Sequence, residues 1–428
     1  MQSLSLPAIF LATTFLVSCA APKPGTTTMI PTPTGVVEGV SQPVDGIDRT
    51  HLGDDIPVFI VSSRSIEENP LPGAIDPFGT ERSHQRNPHL AIAKVGVGEG
   101  LSSEQIYWET VTDVKRKKTH FTLKEVKLEQ PMTQLDPSVI TPDDLPVGRV
   151  NHPWLTALRR QLDQDPDRHI VIYVHGYNTH LVTNTELAAE FFHYMGRKGA
   201  VLSFEWPSAG KLLAYSEDKN RASQSTRLFR GLIAHLASLT GAKQIDIIAH
   251  SAGNPIVVNA LHELRLAESD RSSAELQKKY GIHRVILAAP DMDLVVFFNA
   301  VYDRFYEIAG GVSVYASPND KALNFSSMIF KDRRLGRSIG ELEDWETRVL
   351  AGVREIEMID VSVAEAIYGG GSGHSYFHRD PWVSTDIGMV MKGFPAQARG
   401  LTRSGEDVFW EFPEDYPEFL RGVKRRRQ

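Results

Sequence analysis

The pentapeptide Ala249-His250-Ser251-Ala252-Gly253 stands between an apolar run, IDIIA, and a helix-length stretch that opens with Asn254-Pro255. A serine flanked two places away by small residues, at a strand-to-helix turn, has the setting of a nucleophile, because the chain can turn sharply and leave Oγ exposed at a helix N-terminus. Ala249 fills the place usually taken by glycine, where only bulk is forbidden. Pro255 fits a first helical turn, since its missing N–H would have no partner there. Acyl transfer also needs a base for the hydroxyl proton and donors for the developing oxyanion. One donor is the N–H of Ala252. The second is expected from His175-Gly176-Tyr177-Asn178 after IVIYV, where Gly176 permits an unusual backbone turn and Tyr177 offers its N–H. The base expected downstream is His374, in the glycine-dense run from Gly369 to Tyr376, with His378 in reserve; His262 and His283 fall on a helix and at a strand start and read as ordinary residues. A carboxylate must then accept the Nδ1–H of His374, and two places offer one: Asp291 and Asp293 after LAAP, or Asp320 in VYASPND.

These residues need a scaffold that ends several strands on one side. Residues 56–62, 89–97 and 119–128 are β-rich runs without helical periodicity between them, which predicts an antiparallel start to a sheet. From residue 169 the pattern changes to continuous apolar runs, HIVIYVHG, GAVLSFEW, QIDIIAHS, HRVILAAPD, GVSVYASPND and EIEMIDVSV, of the kind buried on both faces. Helix-length stretches lie between most of them, for example 182–197, 219–239 and 255–268. Strands alternating with helices predict an α/β class, a mostly parallel, doubly wound sheet whose ligand site lies beyond the carboxyl ends of the strands. No repeat of 20–50 residues is found, which excludes solenoids and propellers.

The whole chain narrows the partners. With 428 residues, 41% hydrophobic and 23% charged, it can bury a large core, and a net charge of −7 gives no general attraction to nucleic acid. Neither H-E-x-x-H nor other ligand spacing occurs, so no metal is expected; no phosphate-cradling glycine pattern follows a strand, so no nucleotide cofactor is expected either. Cys19 is the single cysteine, which leaves no intramolecular disulfide. It follows the apolar stretch LPAIFLATTFLVS, too short to span a membrane, and Leu16-Val17-Ser18-Cys19 resembles a lipobox, although MQSLSLP before it lacks the usual Lys or Arg. The expected organisation is a signal peptide over 1–18, a lipidated Cys19 opening a Pro-, Thr- and Gly-rich flexible tether over 19–50, one domain over 51–410, and a polar, basic tail over 411–428 ending in Lys424-Arg425-Arg426-Arg427. The chain would then be lipid-anchored in the cell envelope, with the membrane as a partner through its N-terminal lipid and no protein partner evident.

Taken in order, VHGYNTH at 174–180, FEWPSAGKLLAY at 204–215, IAHSAGN at 248–254, LAAPDMD at 287–293, VYASPNDKAL at 314–323 and GHSY at 373–376 resemble the bacterial α/β-hydrolase family of uncharacterised function that combines HGYN, SWPS and HS-x-GN motifs. The resemblance extends over about residues 55–405, including VFIVSSR and FGTERS. It implies an α/β-hydrolase fold with antiparallel N-terminal strands and a serine-hydrolase constellation, without naming a substrate. In the α/β-hydrolase order the acid follows the strand after LAAP, which favours Asp320 over Asp291 and Asp293. A carboxylesterase forming an acyl-enzyme on Ser251 leads; thioesterase, peptidase or acyltransferase activity, and a non-catalytic envelope binding protein, are the alternatives. No long insertion follows LAAPDMD, so an open, shallow site for short acyl esters is expected.

Overall fold

The computed structural model describes residues 27–427 except 45–46, 69–72, 85–86, 116, 133–134, 136–137, 146–149, 209–214, 369–372 and 405–407. Cys19 and the 1–18 segment lie outside the described residues.

Among these residues twelve strands form one sheet. In chain order they are β1 (Thr27–Thr28), β2 (Ile56–Ser62), β5 (His89–Val97), β6 (His120–Glu129), β7 (His169–Val174), β8 (Ala200–Glu205), β9 (Gln244–His250), β10 (Ile282–Ala288), β11 (Val312–Ala316), β12 (Ile356–Asp360), β13 (Thr402–Arg403) and β14 (Phe409–Glu411); β3 (Arg64–Ile66) and β4 (Phe78–Arg82) pair separately. The spatial order is β1-β6-β5-β2-β8-β7-β9-β10-β11-β12-β14-β13. Strands β1, β6, β5 and β2 pair antiparallel, whereas β2 through β14 run parallel across the middle. The fold is therefore the expected α/β-hydrolase type, a mostly parallel sheet with antiparallel N-terminal strands.

The apolar runs are continuous because each strand faces two cores. Along β9, Ile245, Ile247 and Ala249 join the core under helices Pro153–Leu162, Tyr215–Leu239 and Asn254–Ala267, while Ile248 points into the core under helices Leu181–Tyr194, Pro381–Met391 and Tyr416–Arg427. At roughly 25 cal/mol per Å² of apolar surface removed from water, this two-sided burial dominates the stabilisation. Strand β7 leads to β8 on one side and β9 lies on its other side, so the crevice between the carboxyl ends of β7 and β9 is the switch point where such sheets bind ligands.

Both ends of the fold differ from the sequence expectation. Within the 19–50 tether, Thr27 and Thr28 pair with β6, the N–H of Ile30 donates to Glu190 at 2.6 Å, and Met29, Ile30, Val36 and Val44 are buried. Composition averaged over the segment hides these apolar anchors. The 411–428 tail likewise continues the domain: Phe412 is buried just before the helix Tyr416–Arg427, whose Tyr416 and Leu420 bury one stripe, with Tyr416 5.5 Å from Trp382 between ring centroids.

Candidate active site

Strand β9 delivers Ser251 in a left-handed conformation, φ 52°, and the chain then passes through the single turn Ser251–Gly253 into the helix Asn254–Ala267. A non-glycine residue at positive φ is strained and persists only where its surroundings hold it. The carbonyl of Ser251 accepts from Asn254 Nδ2 at 2.8 Å and from the N–H of Asp291 at 3.2 Å, and Asn254 also donates to the Ala288 carbonyl. The asparagine that follows the elbow thus ties it to the end of β10, a role its place in the motif did not disclose.

The segment after β7 packs back to back with this turn. A Cβ on Gly176 would lie 2.9 Å from Ser251 Cβ and from His250 Nδ1, and one on Gly253 would lie 2.4 Å from the His175 carbonyl. Gly176 is therefore required for close approach; the left-handed turn falls instead on Asn178, φ 54°, whose N–H is engaged by Ser208 Oγ at 2.9 Å. This corrects the expectation that Gly176 itself makes the unusual turn. Tyr177 sits between these two residues, partly buried against the core, and Ala252 opens the turn into the helix at 2% exposure.

His374 reaches the serine from beyond β12. Its Nε2 lies 2.8 Å from Ser251 Oγ and its Nδ1 2.7 Å from Asp320 Oδ2. The other carboxylate oxygen of Asp320 accepts the N–H of Leu323, capping the helix Lys321–Phe330, so one side chain both starts a helix and orients the imidazole. Asp291 does not reach His374: it accepts from Ser326 Oγ at 2.7 Å and faces Arg334 at 3.4 Å. Asp293 caps the helix Leu294–Tyr302. His378, the reserve base, packs edge-on against Phe377, and burial pushes it down to about 3, while it is His374 that bonds the serine. Ser251 is 5% and His374 9% exposed, and the serine is set where two loops are pressed together.

Burial opposes charge on His374, but the Asp320 carboxylate, with Asp291 and Glu365 further away, outweighs it and raises the imidazole above its usual value of 6.5. Beside it, His250 Nε2 donates to the His374 carbonyl at 3.0 Å and its ring stacks on Phe377 with centroids 4.5 Å apart. Burial and the neighbouring histidines hold His250 far below the usual range. Of two touching imidazoles, only one is poised to take a proton. Glu365, behind Asp320, accepts from Ser317 Oγ and is pushed up to about 7, mainly by burial. The arrangement can deprotonate a serine hydroxyl, hold the resulting imidazolium against a buried carboxylate, and present backbone N–H groups at a helix start. Among the described residues no group of three His, Cys, Asp or Glu side chains is placed to hold a metal ion.

The family comparison agrees with this architecture. A family model described as "Alpha/beta hydrolase of unknown function (DUF900)" matches residues 153–390, more than half of the chain and the span that holds Gly176, Ser251, Asp320 and His374. The chain is similar to the uncharacterized protein alr1448 of Nostoc sp. (strain PCC 7120 / SAG 25.82 / UTEX 2576), 24% identical over 179 residues, with 32% of this chain and 46% of that protein covered. The chain therefore spans about half the length of the curated relative it matches. Among solved structures, similar chains include Esterase B from Lactobacillus Rhamnosis (HN001), at 13% identity and TM-score 0.31 over 54% of this chain and 76% of that one. A lipase-esterase related protein from Clostridium acetobutylicum ATCC 824 aligns at 11% identity and TM-score 0.29, over 54% of this chain and 96% of that one.

Proposed function

From the premise that the chain belongs to the family of alpha/beta hydrolases of unknown function (DUF900), we propose that it is a serine hydrolase, a carboxylesterase acting through an acyl-enzyme on Ser251. The observation that carries the reading is one line of contacts: Ser251 Oγ, in a strained left-handed residue, 2.8 Å from His374 Nε2, with Asp320 2.7 Å from Nδ1. In this mechanism Oγ attacks the ester carbonyl as its proton passes to His374 Nε2. The N–H groups of Ala252 and Tyr177 hold the oxyanion, and the imidazolium returns the proton to the departing alkoxide. Water, deprotonated by the same imidazole, then releases the acid and regenerates the serine. Asp320 stays ionised throughout, fixing the tautomer and stabilising the imidazolium.

The test is turnover of nitrophenyl esters of graded chain length together with fluorophosphonate labelling. Wild type should label and turn over. Ser251→Ala should fold, fail to label, and lose activity by roughly 10⁴-fold or more, since only oxyanion and binding contributions survive loss of one member. Labelling that persists in the alanine variant moves the nucleophile elsewhere, and an inert wild type defeats the catalytic reading.

The same proposal puts the enzyme on a membrane through acylated Cys19, supported by the lipobox-like residues before the single thiol. Firm retention needs more than one acyl chain, which diacylglyceryl plus an N-acyl group provides. Cys19→Ala should move the protein out of the membrane fraction; a variant fractionating as wild type does removes the anchor from the reading.

A further inference from the structure

Glu365, on the helix Ser362–Tyr368 that follows β12, places its carboxyl between the loop that carries the acid and the loop that carries the base. On the acid side its Oε2 accepts from Ser317 Oγ, and that oxygen in turn accepts the N–H of Asn319, the residue before Asp320, at 3.1 Å. The carbonyl of Ser317 accepts the N–H of Asp320 itself at 3.3 Å. On the base side Gly373, left-handed at φ 66°, gives the room for close approach one residue before His374. A Cβ there would lie 2.8 Å from Glu365 Oε1 and 3.8 Å from Asp320 Cα. Glu365 Oε1 is shut off from solvent and has no hydrogen-bond partner among the described residues.

The groups around this carboxyl decide its chemistry. Asp320 faces it from the acid loop, Asp360 from the end of β12 and Asp380 from the cap of the helix Pro381–Met391, all as like charges. Tyr376 also feels it, but its hydroxyl already donates to the Tyr315 carbonyl at 2.8 Å. His374 is the facing group that becomes a cation, and Glu365 is among the carboxylates that raise it. A carboxylate oxygen with no donor, near other carboxylates, favours the protonated form. Burial first, with these like charges, outweighs the Ser317 hydrogen bond and pushes Glu365 up to about 7.

We propose that Glu365 is a positioning residue of this site, a second acid that braces the Asp320 loop against the His374 loop and, by gaining or losing one proton, sets how firmly the imidazole holds its own. The effect on turnover rests on the serine-hydrolase reading; the proton coupling does not. While Glu365 keeps its proton, the imidazolium is held by one negative charge fewer. Once that proton leaves, the base is freed only at higher pH. The two groups therefore lose their protons over a wider span of pH than a single group does.

The test pairs NMR titration of the His374 ring nitrogens, assigned by their loss in His374→Gln, with the pH profile of kcat/KM on a nitrophenyl ester, both on the full chain. In wild type the imidazole should titrate more broadly than one proton allows. Glu365→Gln, uncharged and of the same shape, should give a one-proton curve with a lower midpoint, and should raise kcat/KM about twofold near neutrality and less at either end of the profile. Glu365→Ala, which removes the brace, should lower kcat by roughly tenfold with KM unchanged, a loss the glutamine variant does not share. Equal titrations in wild type and Glu365→Gln overturn the proposal, and so does a Glu365→Ala enzyme with wild-type kcat or a Glu365→Gln enzyme as impaired as the alanine variant. A wild type inert to esters defeats the hydrolase reading instead, and the imidazole titration, which needs no turnover, still decides the coupling.

Discussion

Strand β9 has a histidine–carboxylate cluster at each end. At its start the buried Asp246 lies between His169 Nε2 at 2.9 Å and His283 Nδ1 at 3.0 Å, and accepts the N–H of Arg284 at 2.9 Å. Beyond its end the buried Asp320 holds His374, which meets Ser251. Carboxylate burial and bond lengths are nearly the same. What differs is the position in the sheet. At the carboxyl ends of parallel strands, helices begin, and their N–H groups and positive dipole ends face whatever is bound; at the amino ends, helices finish and present carbonyls. Among the described residues the lower cluster has no hydroxyl bonded to its imidazoles, and the left-handed residue beside it, Arg168 at φ 44°, carries no nucleophile. A histidine–carboxylate pair is therefore common structural chemistry, and it becomes a candidate engine only where the fold adds a strained nucleophile and oriented donors.

The comparison breaks most visibly through the acids. Asp320→Asn should keep the fold and lower ester turnover by roughly 10³–10⁴-fold, because an amide cannot fix the tautomer or balance the imidazolium. Asp291→Asn should stay within about tenfold of wild type, since Asp291 is engaged by Ser326 and Arg334. The measurement is kcat/KM on a nitrophenyl ester, with circular dichroism on each variant. A folded, near-wild-type Asp320→Asn beside an inactive Asp291→Asn would falsify the assignment.

Asp246→Ala should give the complementary result, with kcat unchanged and stability reduced by about 2–4 kcal/mol, because the Arg284 N–H and two imidazoles lose their acceptor in a buried place. Urea unfolding beside turnover at 25 °C checks it. Loss of turnover without loss of stability would mean that the lower cluster serves chemistry after all.

How far this was legible in the sequence depends on the range of the contacts involved. The elbow is local: IDIIA ends, small residues follow, and a helix begins, so Ser251 can be found by reading along the chain. Choosing Asp320 over Asp291 is a matter of which strand end faces His374, and adjacent parallel strands end alike; only the order of α/β-hydrolase elements separated them. His250 could not be read at all, because its bond to the His374 carbonyl joins residues 124 apart. In the sequence Gly176 reads as a turn residue, since backbone freedom is the first property of glycine, whereas the neighbouring loop demands its missing Cβ. The terminal segments depart from the sequence pattern for a different reason: a few apolar anchors decide whether a polar segment docks, and average composition conceals them.

The finest contrast between the two ends is in pH. His374 is raised above 6.5: burial disfavours its charge, and Asp320 more than compensates. A histidine raised on folding stabilises fully below its unfolded value, about 6.5, and loses that contribution as pH rises through the folded value. Catalysis moves the other way, because the base must be neutral, so the acid limb of kcat/KM should have its midpoint above 6.5. Asp246 is lowered below 3.8, since hydrogen bonds from His169 and His283 outweigh its burial. Its contribution is present above the unfolded value and disappears as pH falls through the folded one. The two ends therefore release stability in opposite directions, one on approaching neutrality from acid and the other in strong acid, at about 1.4 kcal/mol per pKa unit. Unfolding free energies measured across pH should show Asp320→Asn flattening the curve only near neutrality and Asp246→Asn flattening it only in acid. If Asp320→Asn leaves the neutral slope as it was, or the acid limb of wild-type turnover falls below 6.5, the imidazole at Ser251 is not held by Asp320 in the manner the distances imply.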